Sequence, residues 1–102
     1  MPVRWTHPAQ TDFLGIVEWL TARNPAAAIR IGRRILAAVD NLPGSPYIGR
    51  SGRSPETREL VVTRTPYLVV YAVEPAVVMS DPPSVVVLRV LHGAMLWPPK
   101  TG

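Results

Sequence analysis

The chain changes its hydrophobic pattern once, at a turn-rich stretch between Pro43 and Pro55, and this change most constrains its fold. Before the stretch, apolar residues recur at helical spacing, whereas the runs after it are rich in Val, Leu and Tyr and are separated by turn residues. With 102 residues, 47 % of them hydrophobic, the chain is the size of one domain that can bury a core. The sequence therefore predicts a single α+β domain over residues 1–102.

Two amphipathic helices are predicted in the first part of the chain. From Ala9 to Arg23, apolar side chains fall at i, i+3, i+4 and i+7: Phe13, Ile16, Val17 and Leu20. Asn24-Pro25 then supplies a helix cap followed by a proline at the first helical position, so a second helix is expected to run to about Leu42. Two consecutive helices of this kind form a helical hairpin.

The strands are predicted at Val3–Thr6, Thr57–Thr63, Tyr67–Val73 and Val85–His92, with the segment from Pro43 to Pro55 as a connection without regular structure. The last three runs are expected to form an antiparallel meander; a strand continuing through Val77–Met79 is an open alternative. The expected order is β-α-α-β-β-β, a two-layer sandwich with the helical hairpin on one face of a mainly antiparallel sheet. The other face is expected to stay open to a partner.

Composition excludes several classes of function. Cysteine is absent, which removes disulfides, thiolate nucleophiles and cysteine-ligated metals, and two histidines cannot complete a metal site alone. We therefore expect no metal and no cofactor. The chain lacks a run of the roughly 18 apolar residues that a membrane span needs, and residues 1–6 lack the layout of a secretion signal, so a cytoplasmic protein is expected.

The charge is basic and almost entirely due to arginine. The net charge is +4, and ten of the eleven basic residues are Arg, whose guanidinium suits bidentate contact with carboxylate or phosphate. An acidic partner, either protein or nucleic acid, is expected.

Seven stretches, taken in order, resemble the RelE/ParE superfamily of toxins from bacterial type II toxin–antitoxin systems, and the ParE branch most closely. They are Ala9–Leu20 (AQTDFLGIVEWL), Asn24–Ala28 (NPAAA), Pro46–Gly52 (PYIGRSG), Thr57–Val62 (TRELVV), Thr65–Tyr71 (TPYLVVY), Leu88–Ala94 (LRVLHGA) and Trp97-Pro98. Their order and spacing together cover most of the chain. The resemblance implies a toxin held inactive by a cognate antitoxin, which wraps it and alone contacts operator DNA.

The resemblance implies two possible activities. ParE-branch toxins inhibit DNA gyrase by binding, trapping it on cleaved DNA, and are not enzymes, whereas RelE-branch toxins cut mRNA on the ribosome with several basic residues and a C-terminal Tyr or His. A third interpretation is a degenerate member that binds its antitoxin without toxicity. The ParE-like interpretation is preferred here because the chain has no lysine before Lys100.

Cleavage of RNA through the 2′-hydroxyl needs a proton acceptor, cations at the phosphate and an acid for the leaving oxygen. The candidates for this alternative are Arg58, Arg64, Arg89 and His92, with Arg50 and Arg53 nearby. Strand alternation places Arg58 and Arg64 on one face but Arg89 and His92 on opposite faces, unless a bulge intervenes. The competing structural roles are an Arg89 ion pair with an acid such as Glu59, and a His92 that caps its strand.

The partner-binding candidates are surface residues of the ParE-like interpretation. Arg30, Arg33 and Arg34 lie at i, i+3 and i+4 and form a basic patch, which is alternatively only solvated. The remaining candidates are the helix stripe near Leu20, the sheet edge near Arg58, and Trp97, which either anchors a contact or packs on the sheet edge. Trp5, Trp19, Tyr67 and Tyr71 are expected in the core or at its margin.

Overall fold

Two helices pack on a five-stranded mixed sheet in the computed structural model, which describes residues 3–75 and 83–93. The elements are β1 (Val3–Trp5), α1 (His7–Arg23), α2 (Pro25–Asn41), a 3-10 turn (Leu42–Gly44), β2 (Arg50–Ser51), β3 (Arg58–Val61), β4 (Tyr67–Glu74) and β5 (Ser84–His92). The α+β class and the order of the predicted elements are confirmed. The possible strand at Val77–Met79 lies outside the described residues.

Side-chain caps fix both helix starts. The Thr6 hydroxyl accepts a hydrogen bond from the Ala9 N–H at 3.2 Å, so α1 begins two residues earlier than predicted. Asn24 closes α1 through its own N–H and caps α2 by accepting from the Ala27 N–H at 3.1 Å. The break between the helices therefore lies at the predicted Asn24.

The strand order across the sheet is β1-β5-β4-β3-β2. β1 runs parallel to β5, and the other neighbours are antiparallel, as the mainly antiparallel prediction requires. The prediction was wrong about the connection after α2, because Arg50 and Ser51 form a short strand paired with Glu59 and Arg58. Its two residues are too few to show a strand period in the sequence.

The main core lies between the helices and one face of the sheet. Its fully buried members include Ile35 and Val39 of α2 and Val69, Tyr71 and Val87 of the central strands. The helices approach closely at Gly32, where an added Cβ would lie 3.7 Å from a methyl of Val17.

The second face of the sheet is not open, contrary to the prediction. Leu68, Val70 and Leu91 are buried in a separate cluster with the partly buried Leu88. The apolar residues of β4 follow one another without interruption from Tyr67 to Val73, which is the pattern of a strand buried on both faces. An alternating pattern would have been needed for an open face.

A β-bulge interrupts the pairing of β4 with β5. Val70 pairs with Arg89 but Tyr71 pairs with Val87, which leaves Leu88 as the extra residue. As a result Val87 and Val90, three residues apart, both belong to the main core. The bulge precedes Arg89, and pairing is regular from Arg89 to His92, so these two candidates remain on opposite faces of the strand.

Tyr67 and Tyr71 are buried, and Trp5 packs edge-on against Phe13 with ring centroids 5.7 Å apart, as predicted for core and core-margin residues. The prediction was wrong for Trp19, which is 54 % exposed. The Arg23 guanidinium stacks on its ring at 3.9 Å from the centroid.

Within residues 3–75 and 83–93, neither helix is long and apolar enough to cross a membrane.

Candidate functional site

The residues between the 3-10 turn and β2 form a loop whose backbone is tied to the core; we call residues 45–49 the anchored loop. The buried hydroxyl of Tyr71 accepts from the Gly49 N–H at 2.9 Å and donates to the Pro46 carbonyl at 2.8 Å. Burial raises the pKa of this hydroxyl, although the Gly49 bond and the Arg58 charge act in the opposite direction. The hydroxyl therefore stays protonated and able to donate at physiological pH.

Arg58 holds the same loop from β3. Its Nη1 donates to the carbonyls of Gly49 at 2.8 Å and Tyr47 at 3.2 Å, and its guanidinium lies 4.9 Å from the centre of the Tyr47 ring. An added Cβ on Gly49 would lie 2.7 Å from the Tyr71 hydroxyl, so the close approach requires glycine. The conformation of the loop is thus determined by three residues distant from one another in the chain.

Glu59 follows Arg58 and turns to the other side of β3. Its carboxylate is buried, accepting from Arg50 Nη2 at 3.1 Å and from the Arg53 N–H at 3.0 Å, with Arg53 Nε at 3.7 Å. Burial alone would raise the pKa of Glu59, but the hydrogen bonds and charges of Arg53 and Arg50 outweigh it, so the pKa is lowered. The carboxylate is therefore ionised at neutral pH and orients two guanidiniums.

Arg89 pairs with Asp12 of α1, and not with Glu59 as the sequence suggested. Its Nε and Nη2 donate to the two carboxylate oxygens at 2.7 and 2.9 Å, which raises the pKa of Arg89, and the Val90 N–H donates to the same carboxylate at 3.0 Å. β1 ends opposite Val87, so Asp12 satisfies the edge of β5 where β1 no longer does. The ion pair and this edge contact join α1 to the sheet.

His92 lies beside Tyr67 on the neighbouring strand, with the two rings edge to face and their centroids 5.6 Å apart. Both residues line a groove of about 470 Å³ between α1 and β5, together with Asp12 and Trp19. His92 is thus the last residue of β5, the position that its predicted role as a strand cap requires.

The four residues of the ribonuclease alternative are not gathered in one place. Arg58 pairs across the sheet with Tyr71, whereas His92 pairs with Tyr67, about 13 Å further along β4. Arg64 is in the turn between β3 and β4 with φ 61°, not on the strand face predicted for it. Arg89 is bonded to Asp12. The chain thus brings Arg58 together with Tyr47 and Gly49, and not with the other candidates.

The partner-binding candidates lie on several surfaces, and the prediction of a sheet edge near Arg58 was wrong, because β2 pairs with this part of β3. Arg30 and Arg33 are exposed on α2 and Arg34 is partly buried, and no ion pair within the described residues engages these three. Leu20, by contrast, belongs to the core and is 9 % exposed, so its side chain offers little surface to a partner. Trp97 lies outside the described residues.

Sequence reasoning missed the most exposed part of the anchored loop. Tyr47 is 60 % and Ile48 is 65 % exposed, although both are large and apolar. Their position inside the Pro46–Gly52 motif was a signal, but exposure cannot be read from a segment without periodicity.

Among the described residues, His, Asp and Glu side chains form no group of three or more that could hold a metal ion.

The arrangement of helices and strands matches that of a solved structure. Superposition on a solved structure titled "Chromosomal ParDE TA system from P. aeruginosa" gives a TM-score of 0.77 over 90 % of this chain and 95 % of that chain, at 22 % identity. The fold is therefore the one in that structure.

Sequence comparisons give the family. A family model described as "ParE toxin of type II toxin-antitoxin system, parDE" matches residues 3–97. The chain is 35 % identical over 96 residues to "Putative toxin Y4kP" of Sinorhizobium fredii, covering 94 % of this chain and 92 % of that protein. It is 36 % identical over 87 residues to "Toxin RelE1" of Caulobacter vibrioides, covering 83 % of this chain and 85 % of that protein. The chain belongs to the ParE toxin family of type II toxin–antitoxin systems.

Proposed function

We propose that this toxin arrests growth in the cytoplasm by binding DNA gyrase and trapping it on cleaved DNA, without being an enzyme. The observation that carries the proposal is the use of the candidate cations in structural contacts. Arg58 is bonded to loop carbonyls and Arg89 to Asp12, while Arg64 and His92 lie toward the opposite end of the sheet from Arg58. A phosphate in a cleavage transition state would need several cations converging on one point.

A cognate antitoxin is proposed as the neutralising partner, with operator DNA bound only through it. The outer surface of the helical hairpin supports this part of the proposal. Leu14 and Leu36 are exposed beside a groove of about 260 Å³ that Trp5 and Phe13 also line. The basic patch of Arg30, Arg33 and Arg34 lies on the same helix as Leu36, so an amphipathic acidic segment fits this surface by both its apolar and its charged side chains.

The test is gyrase supercoiling with the purified protein, scored for inhibition and for cleaved, protein-linked DNA. The expected result is cleaved DNA in the presence of gyrase. The same concentrations of the protein should leave relaxed plasmid intact when gyrase is absent. Adding the protein product of an adjacent acidic reading frame should reverse it. A toxin that arrests growth but leaves gyrase unaffected contradicts the proposed target.

The second candidate function is ribosome-dependent cleavage of mRNA. The resemblance to a protein named "Toxin RelE1" favours it, as does the groove that Asp12 and His92 share. Its discriminating variant is the double substitution Arg64→Ala, His92→Ala, which removes a cation and a possible acid. Undiminished growth arrest by this variant excludes the ribonuclease, whereas a toxin that never arrests growth indicates a degenerate family member.

A further inference from the structure

We propose that the anchored loop is a rigid contact surface for the folded target protein, inserting Tyr47 and Ile48 into an apolar pocket bordered by carboxylates. The inference rests on the proposed function only in the identity of the target, taken as gyrase. The antitoxin surface proposed above lies on the helical hairpin, so the two contacts involve different parts of the molecule.

The exposure of the two side chains is the first step. Tyr47 and Ile48 are consecutive, and more than half of each lies in solvent. Burial of large apolar side chains stabilises a fold, so leaving two adjacent ones exposed forgoes a substantial stabilisation. Tyrosine is also among the residue types enriched at binding hot spots.

The rigidity of the loop is the second step. Every hydrogen bond from Tyr71 and Arg58 to the loop involves backbone atoms, namely the Pro46, Tyr47 and Gly49 carbonyls and the Gly49 N–H, and the Tyr47 ring adds only its contact with the Arg58 guanidinium. The Tyr47 and Ile48 side chains are therefore not what holds the backbone in place. A loop fixed in this way loses little conformational entropy on binding, which is the advantage of a preorganised contact.

The charge around the loop indicates the chemistry of the partner. Residues 45–59 carry three guanidiniums, Arg50, Arg53 and Arg58, and two carboxylates, Glu56 and Glu59. Glu59 is buried and directed at Arg50 and Arg53, so the exposed charge is mainly positive. A complementary surface places carboxylates around the pocket that receives Tyr47 and Ile48.

A projecting rigid loop fits a folded partner better than it fits a flexible segment. Segments that order on binding gain their contacts by lying along grooves or free sheet edges, such as the groove at Leu14 and Leu36. A preformed loop enters a preformed pocket with little change in either backbone. We therefore assign the loop to the target and not to the antitoxin.

The experiment uses the full chain with the double substitution Tyr47→Ala, Ile48→Ala. Because the loop is held through its backbone, we expect a thermal midpoint close to that of the parent chain. Growth arrest on expression should be lost, and the concentration for half-maximal gyrase inhibition should rise at least about tenfold. Antitoxin affinity should stay within about twofold, because the loop is not its proposed site.

Two further variants keep the outcome interpretable. Ile29→Ala removes a similarly exposed apolar side chain from α2 and should leave growth arrest unchanged. Tyr71→Phe removes both hydroxyl bonds to the loop while keeping Tyr47 and Ile48, and should weaken gyrase inhibition less than the double substitution does. Inhibition by the parent chain should also weaken as KCl rises, since the proposed partner is acidic.

Several results would overturn the inference. One is a folded double variant that arrests growth as the parent chain does. A second is a double variant that loses antitoxin binding but keeps gyrase inhibition. A third is a parent chain whose loop contacts duplex DNA alone. If the parent chain arrests growth without inhibiting gyrase, the gyrase proposal fails, but loss of growth arrest in the double variant still tests the role of the loop. A parent chain that neither arrests growth nor inhibits gyrase overturns both the gyrase proposal and the loop proposal.

Discussion

Arg64 adopts a left-handed backbone conformation, φ 61°, at the tip of the β3–β4 hairpin. The Thr65 hydroxyl holds this turn by donating to the Val62 carbonyl at 2.9 Å and accepting from the Tyr67 N–H at 3.1 Å. A side chain with a Cβ is strained in this region by about 1–2 kcal/mol. The turn therefore tolerates arginine because its neighbours fix it.

Replacing Arg64 with glycine should raise the free energy of unfolding by about 0.5–1 kcal/mol, since glycine lacks the Cβ but gains freedom in the unfolded chain. Urea denaturation measures the change. Arg64→Ala keeps the Cβ and is the matched control, for which no stabilisation is expected. Equal stabilisation by both variants would mean that the guanidinium, and not the backbone, is unfavourable.

Glu59 should make folding stability depend on acid pH. Its pKa is lowered in the folded chain from the ordinary value of 4.5, so its stabilisation is present above about pH 4.5 and is lost as pH falls through the folded value. Glu59→Gln should cost about 1–3 kcal/mol at neutral pH, because two guanidiniums lose their carboxylate. The difference in urea midpoint between parent and variant should shrink as pH falls below the ordinary value of 4.5, and a constant difference would argue against an ionised Glu59.

At the scale of elements, two glycines in different settings should respond oppositely to alanine. In the anchored loop, a Cβ on Gly49 meets the Tyr71 hydroxyl at 2.7 Å and the Glu59 carbonyl at 3.0 Å. On α2, a Cβ on Gly32 finds its nearest neighbour, a Val17 methyl, at an ordinary 3.7 Å. The first position has no space for a methyl group and the second does.

Gly49→Ala should therefore destabilise the fold by about 1–3 kcal/mol, as expected for overpacking, and should loosen the loop. Gly32→Ala should stabilise it by about 0.5–1 kcal/mol through helix propensity. Thermal melts of both variants provide the comparison. A Gly49→Ala protein as stable as the parent would show that Tyr71 can move aside at no cost.

For the molecule as a whole, the Asp12–Arg89 contact joins the helical layer to the sheet. The ion pair is bidentate, partly buried and shared with the Val90 N–H at the edge of β5. By contrast, Arg4 and Glu74 form an exposed pair of similar length, 2.8 Å. The two pairs differ in burial and in the number of groups they satisfy.

Asp12→Ala should lower the free energy of unfolding by about 2 kcal/mol, because it removes the carboxylate that accepts from the Arg89 guanidinium and the Val90 N–H. Glu74→Ala should cost under about 1 kcal/mol, as exposed pairs do. Asp12→Asn retains one oxygen acceptor and should fall between them. Equal losses for Asp12→Ala and Glu74→Ala in urea denaturation would refute the proposed role of the interlayer contact.

Helices, central strands and the break at Asn24 could be predicted because local chemistry determines them. Helical spacing, the Asn-Pro cap and the Val-rich runs each act over a few residues, and the family resemblance rested on the same segments. Of the candidate site, the sequence indicated the motif Pro46–Gly52 and the basic patch on α2.

The tertiary structure decided which distant groups meet. The two-residue β2, the bulge at Leu88 and the parallel pairing of β1 with β5 depend on the register between strands, which local pattern does not specify. The choice of Asp12 as the partner of Arg89 and the anchoring of Gly49 by Tyr71 span 77 and 22 residues of chain. Local sequence determined the elements, but these contacts arise only when the packed layers bring their ends together.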